Sequence, residues 1–225
     1  MRQSSEIEIL DEGNVPEHLV DRAYRDLTRI HRFLGDTRAI VAAIRRDPLP
    51  VRRVLDIGCA RGGVLLHIQR RLAVDVVGVD RNPSSTPHPL FPIVQADAIQ
   101  DRLPAADVAI SMLLAHHLSP EGVATLIRNV GRTCRRFILL DLVRHPLPLT
   151  LFRLFVAPLV SRIVAADGCA SIRRAYTPNE LGRIAREALD GTGAQVRHSV
   201  APFYVRQVLD ISYFLGSGGS GAGSR

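Results

Sequence analysis

The sequence of 225 residues contains no lysine and no tryptophan, so all 29 lysine-or-arginine positions are arginine. Without lysine, the chain cannot form the Schiff base that holds pyridoxal phosphate. It also cannot place a Walker-type lysine on the terminal phosphates of a nucleotide. The composition therefore excludes pyridoxal phosphate enzymes, P-loop ATPases and kinases.

Cysteine is scarce, and long apolar runs are missing. Cys59, Cys134 and Cys169 are far apart and form no CxxC pair, so we expect reduced thiols rather than a disulfide or zinc framework. The N-terminal MRQSSEIEILDEG lacks the apolar stretch of a signal peptide. No uninterrupted apolar run reaches the roughly 18 residues that would predict a membrane span. These features predict a cytoplasmic protein without a transmembrane segment.

The net charge is strongly positive, at 29 − 22 = +7. Such a charge is compatible with a nucleic-acid or anionic-membrane partner. The arginines are instead scattered along the chain in pairs such as Arg45-Arg46, Arg70-Arg71 and Arg135-Arg136, which favours a general preference for arginine over lysine. We therefore expect no nucleic-acid partner. The sequence leaves peripheral membrane contact and the oligomeric state open.

The chain divides into a helical beginning and a longer region in which strands and helices alternate. We predict a mobile N-terminus (1–15), a helical cover (16–50), one α/β domain (51–215) with a lid at about 145–175, and a flexible tail (216–225). Near-continuous apolar strands between helices indicate a parallel sheet covered on both faces. The predicted strands are 54–57, 74–79, 92–95, 108–112, 137–141, 194–200 and 203–209.

The most informative segment is VLDIGCARGG at positions 54–63, where a buried strand ends in a glycine turn that opens into a helix. Small residues let the backbone approach a ligand, and the helix N-terminus offers free N–H groups. Asp80 ends the next strand, where a carboxylate can accept both ribose hydroxyls. Asp97 ends the third, where it can meet an adenine amino group. This pattern predicts a nucleoside-binding site.

The acid within the turn decides which nucleoside fits. Gly58-x-Ala60-x-x-Gly63 is a degenerate dinucleotide-binding pattern, but Asp56 lies two residues before Gly58 and would face the centre of the ligand. NAD places an anionic pyrophosphate there, whereas S-adenosylmethionine (SAM) brings a sulfonium and an ammonium group. The three acids therefore favour SAM over NAD.

At these motifs the sequence resembles the class I SAM-dependent methyltransferases. VLDIGCARGG resembles their first motif, VVGVD their ribose-binding strand and VQADA their adenine-binding turn, with Ala60 in place of the usual central glycine. The resemblance spans about residues 20–210. It implies an α/β, Rossmann-like seven-stranded sheet with an antiparallel last strand. The cofactor-binding residues that it implies are Asp56, Gly58, Ala60, Gly62, Asp80, Arg81, Asp97, Ala98 and Met112.

Segments outside this core resemble a bacterial subgroup associated with polyketide, phenolic-lipid and quinone metabolism. They are DLTRIHRFLG, SMLLAHHLSPEG, LLDLVRH and DGCASIRRAYTPNEL. The resemblance implies a small aromatic or lipophilic acceptor that is methylated on oxygen or carbon. Two alternatives remain: a nucleic-acid methyltransferase, disfavoured by the lack of an N/D/S-P-P-aromatic motif, and a SAM-binding partner protein without catalysis.

Three histidines are candidates for a general base. His116 and His117 follow the fourth strand, where ligands of such sheets bind, and His145 follows the fifth. Adjacent histidines point in different directions, so one of the pair is expected to be structural, and His117 is the preferred base. We predict no metal, because the pair lacks ligand spacing and the sequence shows no accompanying carboxylate cluster.

Further residues are candidates for contact with the acceptor or for a lid. Arg174 and Tyr176 could grip an anionic or phenolic group, although solvated residues before a helix cap explain them equally well. Tyr24, Arg29 and His31 lie on the N-terminal helix, which in this family closes over the methionine end of SAM. The apolar stretch 147–164 fits a lid helix, a membrane-surface segment or ordinary core.

Overall fold

A computed structural model of the chain describes residues 1–4, 6, 8–12, 15–83 and 90–213. The predicted tail at 216–225 lies outside these described residues. Among them, seven strands form one sheet in the order β3-β2-β1-β4-β5-β7-β6. The strands are β1 (Arg53–Ile57), β2 (Asp75–Asp80), β3 (Ile93–Gln95), β4 (Ala106–Met112), β5 (Cys134–Asp141), β6 (Gln195–Val200) and β7 (Gln207–Ser212).

The first five strands are parallel, and β7 is antiparallel to both β5 and β6. This confirms the predicted Rossmann-like sheet with its antiparallel last strand. The prediction for β7 was wrong in its position, because the strand was placed at 203–209. Phe203 and Tyr204 instead belong to a 3₁₀ turn (Pro202–Tyr204) and have positive φ angles of 59° and 56°. The strand can begin only where the chain returns to extended backbone.

Seven α-helices are described around the sheet. They are α1 (Glu17–Leu34), α2 (Asp36–Arg45), α3 (Gly63–Leu72), α4 (Pro120–Val130), α5 (Pro146–Leu151), α6 (Arg162–Arg174) and α7 (Pro178–Ala188). Helix α7 begins with a full capping box, in which Thr177 and Glu180 satisfy each other's backbone N–H groups. The break between α1 and α2 occurs at Gly35, whose φ of 79° suits glycine.

The sheet has an apolar layer on each face, as its buried strands require. One layer packs Leu55, Val77 and Phe137 against α4 and α7, and the other packs Val54, Ile110 and Ile138 against α2 and α3. Since both faces are covered, the carboxyl ends of the parallel strands remain as the edge on which loops can build a site.

The region between β5 and α7 contains more helix than the apolar and proline-rich sequence indicates. After α5, a π-helical turn (Phe152–Val156) and a 3₁₀ turn (Ala157–Leu159) lead into α6. Residues 1–15, which we expected to be mobile, include a 3₁₀ turn at Ile9–Glu12. The amides of Ile9 and Leu10 donate to the carboxylate of Asp167 in α6, at 2.7 and 3.2 Å. Within the described ranges, no helix is both long and apolar enough to cross a membrane.

Candidate functional site

The glycine turn after β1 contains three small residues with left-handed backbone conformation. Gly58, Ala60 and Gly62 have φ angles of 74°, 46° and 73°. The amides of Gly58 and Cys59 donate to the carbonyl of Val79, which fastens the turn to the end of β2. The amides of Ala60 and Gly62 also donate within the protein, to Asp80 and to the carbonyl of Cys59. The conformation of the turn is therefore preformed. The chain then enters α3 directly, and the N–H groups of the first turn of this helix have no partner within the helix.

Asp80 links this turn to the end of β2. Its Oδ2 accepts a hydrogen bond from the amide of Ala60 at 2.8 Å, and its Oδ1 accepts one from Asn82 at 2.9 Å. A carboxylate has about four lone-pair positions, so each oxygen can still accept from a ligand hydroxyl. Asp80 thus fixes the turn and retains acceptor capacity.

Asp56 is the buried acid beneath the turn, with 2% of its surface exposed. Burial, assisted by the negative charge of Asp80, raises the pKa of Asp56 to about 8. At neutral pH this carboxyl is therefore mostly protonated. A cation placed beside it would favour the ionised form.

Asp97 lies at the turn after β3 and is ordered by its own loop. Its Oδ1 accepts from the amide of Ile99 at 2.9 Å, and its Oδ2 accepts from Arg81 at 3.1 Å. Ala98 follows, and its carbonyl accepts from Asn129 of α4 at 2.9 Å. Met112 ends β4 on the apolar layer that borders the glycine turn. The predicted cofactor residues thus lie at the carboxyl ends of four adjacent strands.

His116 lies in a 3₁₀ turn after β4 and is buried. Its Nδ1 is 2.6 Å from Oδ1 of Asp141 at the end of β5, and its amide donates to Oδ2 of the same carboxylate at 2.9 Å. Its Nε2 is 3.5 Å from Oε1 of Glu8. Burial alone would lower the pKa of His116, but Asp141 and Glu8 outweigh it and raise that pKa to about 9. His116 is therefore a buried imidazolium between two carboxylates.

Glu8 belongs to this site, although no pattern in the sequence links it to the histidines. It stands more than 100 positions from them, and the alternation Glu6-Ile7-Glu8-Ile9 does not indicate a partner. Its Oε1 accepts from the hydroxyl of Ser171 at 2.7 Å and lies 3.6 Å from Nε2 of His117 and 3.7 Å from Nη1 of Arg174. Although burial opposes it, hydrogen bonding to His116 and the nearby charges lower the pKa of Glu8.

The presence of Glu8 corrects one premise of the sequence analysis. The histidine pair does have a carboxylate beside it, and Glu8, His116 and His117 bring one potential ligand atom each within 4.8 Å of one another. The charges oppose a cation, however, because a protonated His116 and the guanidinium of Arg174 already surround Glu8. That the chain uses no metal stays a prediction.

His117 and His145 occupy different surroundings. The side chain of His117 is 24% exposed and its ring lies 4.3 Å from that of His116. His145 instead caps α5, where its Nδ1 accepts from the amide of Leu147 at 3.1 Å, and its ring stacks on Tyr204 at 4.5 Å. The structure thus brings His116 and His117 together and leaves His145 outside their cluster.

The predicted lid residues Tyr24, Arg29 and His31 also lie in different surroundings. The guanidinium of Arg61 in the glycine turn lies 4.8 Å from the ring of Tyr24 and 2.5 Å from Asp21, which joins α1 to the turn. Arg29 is exposed. His31 hydrogen-bonds to Asp36 at 2.9 Å, and burial together with the charge of Arg206 lowers its pKa to about 4. Of these residues, Tyr24 contacts the site.

Arg174 and Tyr176 were considered as contacts to the acceptor. Arg174 does reach the cluster, through Glu8. Tyr176 is buried in the core, and its hydroxyl donates to the carbonyl of Leu118 at 2.6 Å. The phenol therefore supports the loop that carries the histidines.

No protein-family model matches the chain, and no curated protein sequence matches it. Solved structures do. The plantazolicin methyltransferase BpumL, in complex with a monoazolic desmethylPZN analog and SAH, is 12% identical with a TM-score of 0.68, covering 88% of this chain and 89% of its own.

Two further structures are similar. The methyltransferase domain of bacterial CtHen1-C is 14% identical with a TM-score of 0.60, covering 80% of this chain and 97% of its own. Human N-acetylserotonin methyltransferase in complex with SAM is 13% identical with a TM-score of 0.59, and the match covers 83% of this chain and 53% of that chain. At these identities the likeness establishes the fold: the chain has the Rossmann-like fold of these methyltransferases.

Proposed function

We propose that this protein is a SAM-dependent methyltransferase whose acceptor is a small aromatic, polyketide-like or quinone-like molecule. The observation that carries the proposal is the set of three acids around the glycine turn, Asp56, Asp80 and Asp97, each within two residues of the carboxyl end of a strand. Structures of the same fold that contain SAH or SAM support it.

The residues present fit this cofactor. Asp80 would accept the ribose hydroxyls, and the turn after β3, with Asp97, Arg81 and Ala98, would border the adenine. Asp56 is a buried carboxyl that an ammonium group would stabilise in its ionised form, whereas a pyrophosphate would be repelled by it. When bound, SAM supplies an activated methyl group.

The chain's own contribution on the acceptor side is positioning and proton removal. Holding the acceptor in line with the methyl group is worth ~7–11 kcal/mol, and a general base adds roughly 10²–10⁴-fold for a phenol or an acidic carbon. We assign the base to His117, because its ring is partly exposed. His116 is committed to Asp141 and Glu8 and would position the loop.

Titration calorimetry with SAM, SAH and NADH tests the cofactor. Because the pKa of Asp56 is about 8, we expect cofactor binding at pH 7 to release up to one proton as the ammonium group ionises the carboxyl. The release appears as a binding enthalpy that changes with the ionisation enthalpy of the buffer. Asp56→Asn should bind more weakly and without this dependence. Binding of NADH but not of SAM or SAH by folded protein contradicts the proposal.

We expect His117→Ala to lower kcat with phenolic acceptors by about 100-fold, because the proton acceptor is lost. The affinity for SAM should stay within about twofold, since His117 is not assigned to the cofactor. A screen of phenols and quinones with methyl-labelled SAM measures this, with His18→Ala, an exposed histidine of α1, as the matched control. Unchanged kcat in His117→Ala removes His117 as the base.

A further inference from the structure

Helix α1 presents a basic stripe that ends in an apolar residue. Arg22, Arg25, Arg29 and Phe33 follow one another at spacings of three or four, so they lie on one face of the helix. All four are exposed, and Phe33 is 89% exposed. The stripe contains no acid. An uncovered phenylalanine in line with three arginines is unlike an ordinary solvated helix face.

The turns between α5 and α6 present apolar side chains beside this stripe. Leu154, Phe155 and Leu159 are 63%, 65% and 81% exposed. The segment is not loose, because the ring of Phe152 packs so closely on Gly168 of α6 that a Cβ there would lie 2.3 Å from the ring. Since Phe152 anchors the inner side, the next residues are held outward.

The two elements are joined by a buried acid. Oδ2 of Asp26 in α1 accepts from the amide of Ser161 at 2.9 Å. The arginines of the stripe and residues Pro158–Ser161 line a cavity of about 550 Å³ between the two elements. Asp26 is buried and lines the same cavity, and its Oδ1 lies 3.7 Å from Nη1 of Arg29. Three arginines of the stripe against this one acid leave the surface positively charged. Residues 153–162 add two arginines and no acid.

We propose that this surface, the α1 stripe together with residues 153–162, docks on an anionic phospholipid membrane. Large apolar side chains that enter the headgroup region and arginines that bind lipid phosphates are the two components of interfacial binding. Charge argues against a second copy of the chain, because a two-fold contact would place this arginine-rich surface against itself. A nucleic acid would neutralise the arginines but leave the leucines uncovered.

The proposal does not depend on the proposed activity. Sedimentation with vesicles measures membrane binding directly. One set of vesicles contains phosphatidylcholine alone, and the other contains 30% phosphatidylglycerol as well. Wild-type protein should bind the anionic vesicles at least about tenfold more strongly, with a further decrease as salt screens the arginines. Leu154→Ser/Phe155→Ser/Leu159→Ser should lose about tenfold or more, and Arg22→Gln/Arg25→Gln should lose the preference for anionic lipid.

Two matched control variants test whether vesicle binding depends on this surface or on exposed apolar and basic residues in general. Leu49→Ser removes an exposed leucine from the loop that precedes β1, and Arg70→Gln/Arg71→Gln removes two exposed arginines from α3; both should bind as wild type. Equal loss in the controls, or no sedimentation of wild type with anionic vesicles, overturns the proposal. So does a wild-type dimer that the triple variant dissociates without any vesicle binding. Calorimetry with SAM reports separately on the proposed function.

Discussion

Asp80→Ala is expected to lower the affinity for SAM by about 100-fold or more. The carboxylate is assigned two ribose hydroxyls, and each hydrogen bond to a charged group contributes about 1.5–3 kcal/mol. The same side chain accepts from the amide of Ala60, at 2.8 Å, so its removal also frees the glycine turn. Both effects lower the affinity for SAM. We therefore expect a larger loss of affinity in Asp80→Ala than in Asp56→Asn.

Calorimetry with SAH measures the Asp80 effect without turnover. Asp75→Ala is the matched control, because it removes an exposed acid from the other end of the same strand. Asp80→Asn keeps one acceptor oxygen and should fall between wild type and alanine. An affinity of Asp80→Ala within threefold of wild type would place the ribose elsewhere, provided that the variant retains its thermal unfolding transition.

The positions of the acids proposed to bind the cofactor could be predicted from the sequence, because the parallel sheet brings them together. Asp56, Asp80 and Asp97 each lie at or next to the end of a strand, and parallel strands bring such ends to one edge. The order of β1, β2 and β3 then makes them neighbours. Packing between β2 and the glycine turn also requires a glycine at position 78, since a Cβ there would lie 2.5 Å from Sγ of Cys59.

The cluster around His116 and His117, where we propose that the acceptor binds, could not be predicted in this way. Glu8 reaches His116 from a short segment before α1, and only tertiary packing on α6 brings the two together. Asp167, which fixes that segment through the amides of Ile9 and Leu10, lies in a helix whose sequence we interpreted as part of a lid. Long-range polar contacts of this kind leave no periodic pattern in the chain.

Local chemistry misled the prediction of β7. Phe203 and Tyr204 are residue types typical of strands, but with Pro202 they form a turn instead. A neighbouring residue therefore determines their conformation more strongly than their own preference. The lid role of His31 stays a prediction; its ring hydrogen-bonds to Asp36 at the start of the next helix.

Asp141→Ala is expected to destabilise the protein by about 3–5 kcal/mol at neutral pH, the range for breaking a buried ion pair on one side. Asp141 is buried and accepts from the ring and the amide of His116 and from the amide of Leu142. Its removal leaves a buried imidazolium with Glu8 alone. Urea unfolding measures the loss, and Asp190→Ala, an exposed acid, should change stability by less than about 0.5 kcal/mol.

The pH dependence identifies the ion pair as the source of this stability. The pKa of His116 is raised from 6.5 to about 9 in the folded protein, so the stabilisation is complete below pH 6.5 and is lost as the pH rises through 9. The difference in free energy of unfolding between wild type and Asp141→Ala should therefore decrease, by at most about 3 kcal/mol, between pH 6 and pH 9.5. A difference that stays constant over this range would assign the loss to packing and backbone hydrogen bonds. In a His116→Gln background, the effect of Asp141→Ala on the free energy of unfolding should no longer change with pH, because position 116 then has no imidazole to be charged.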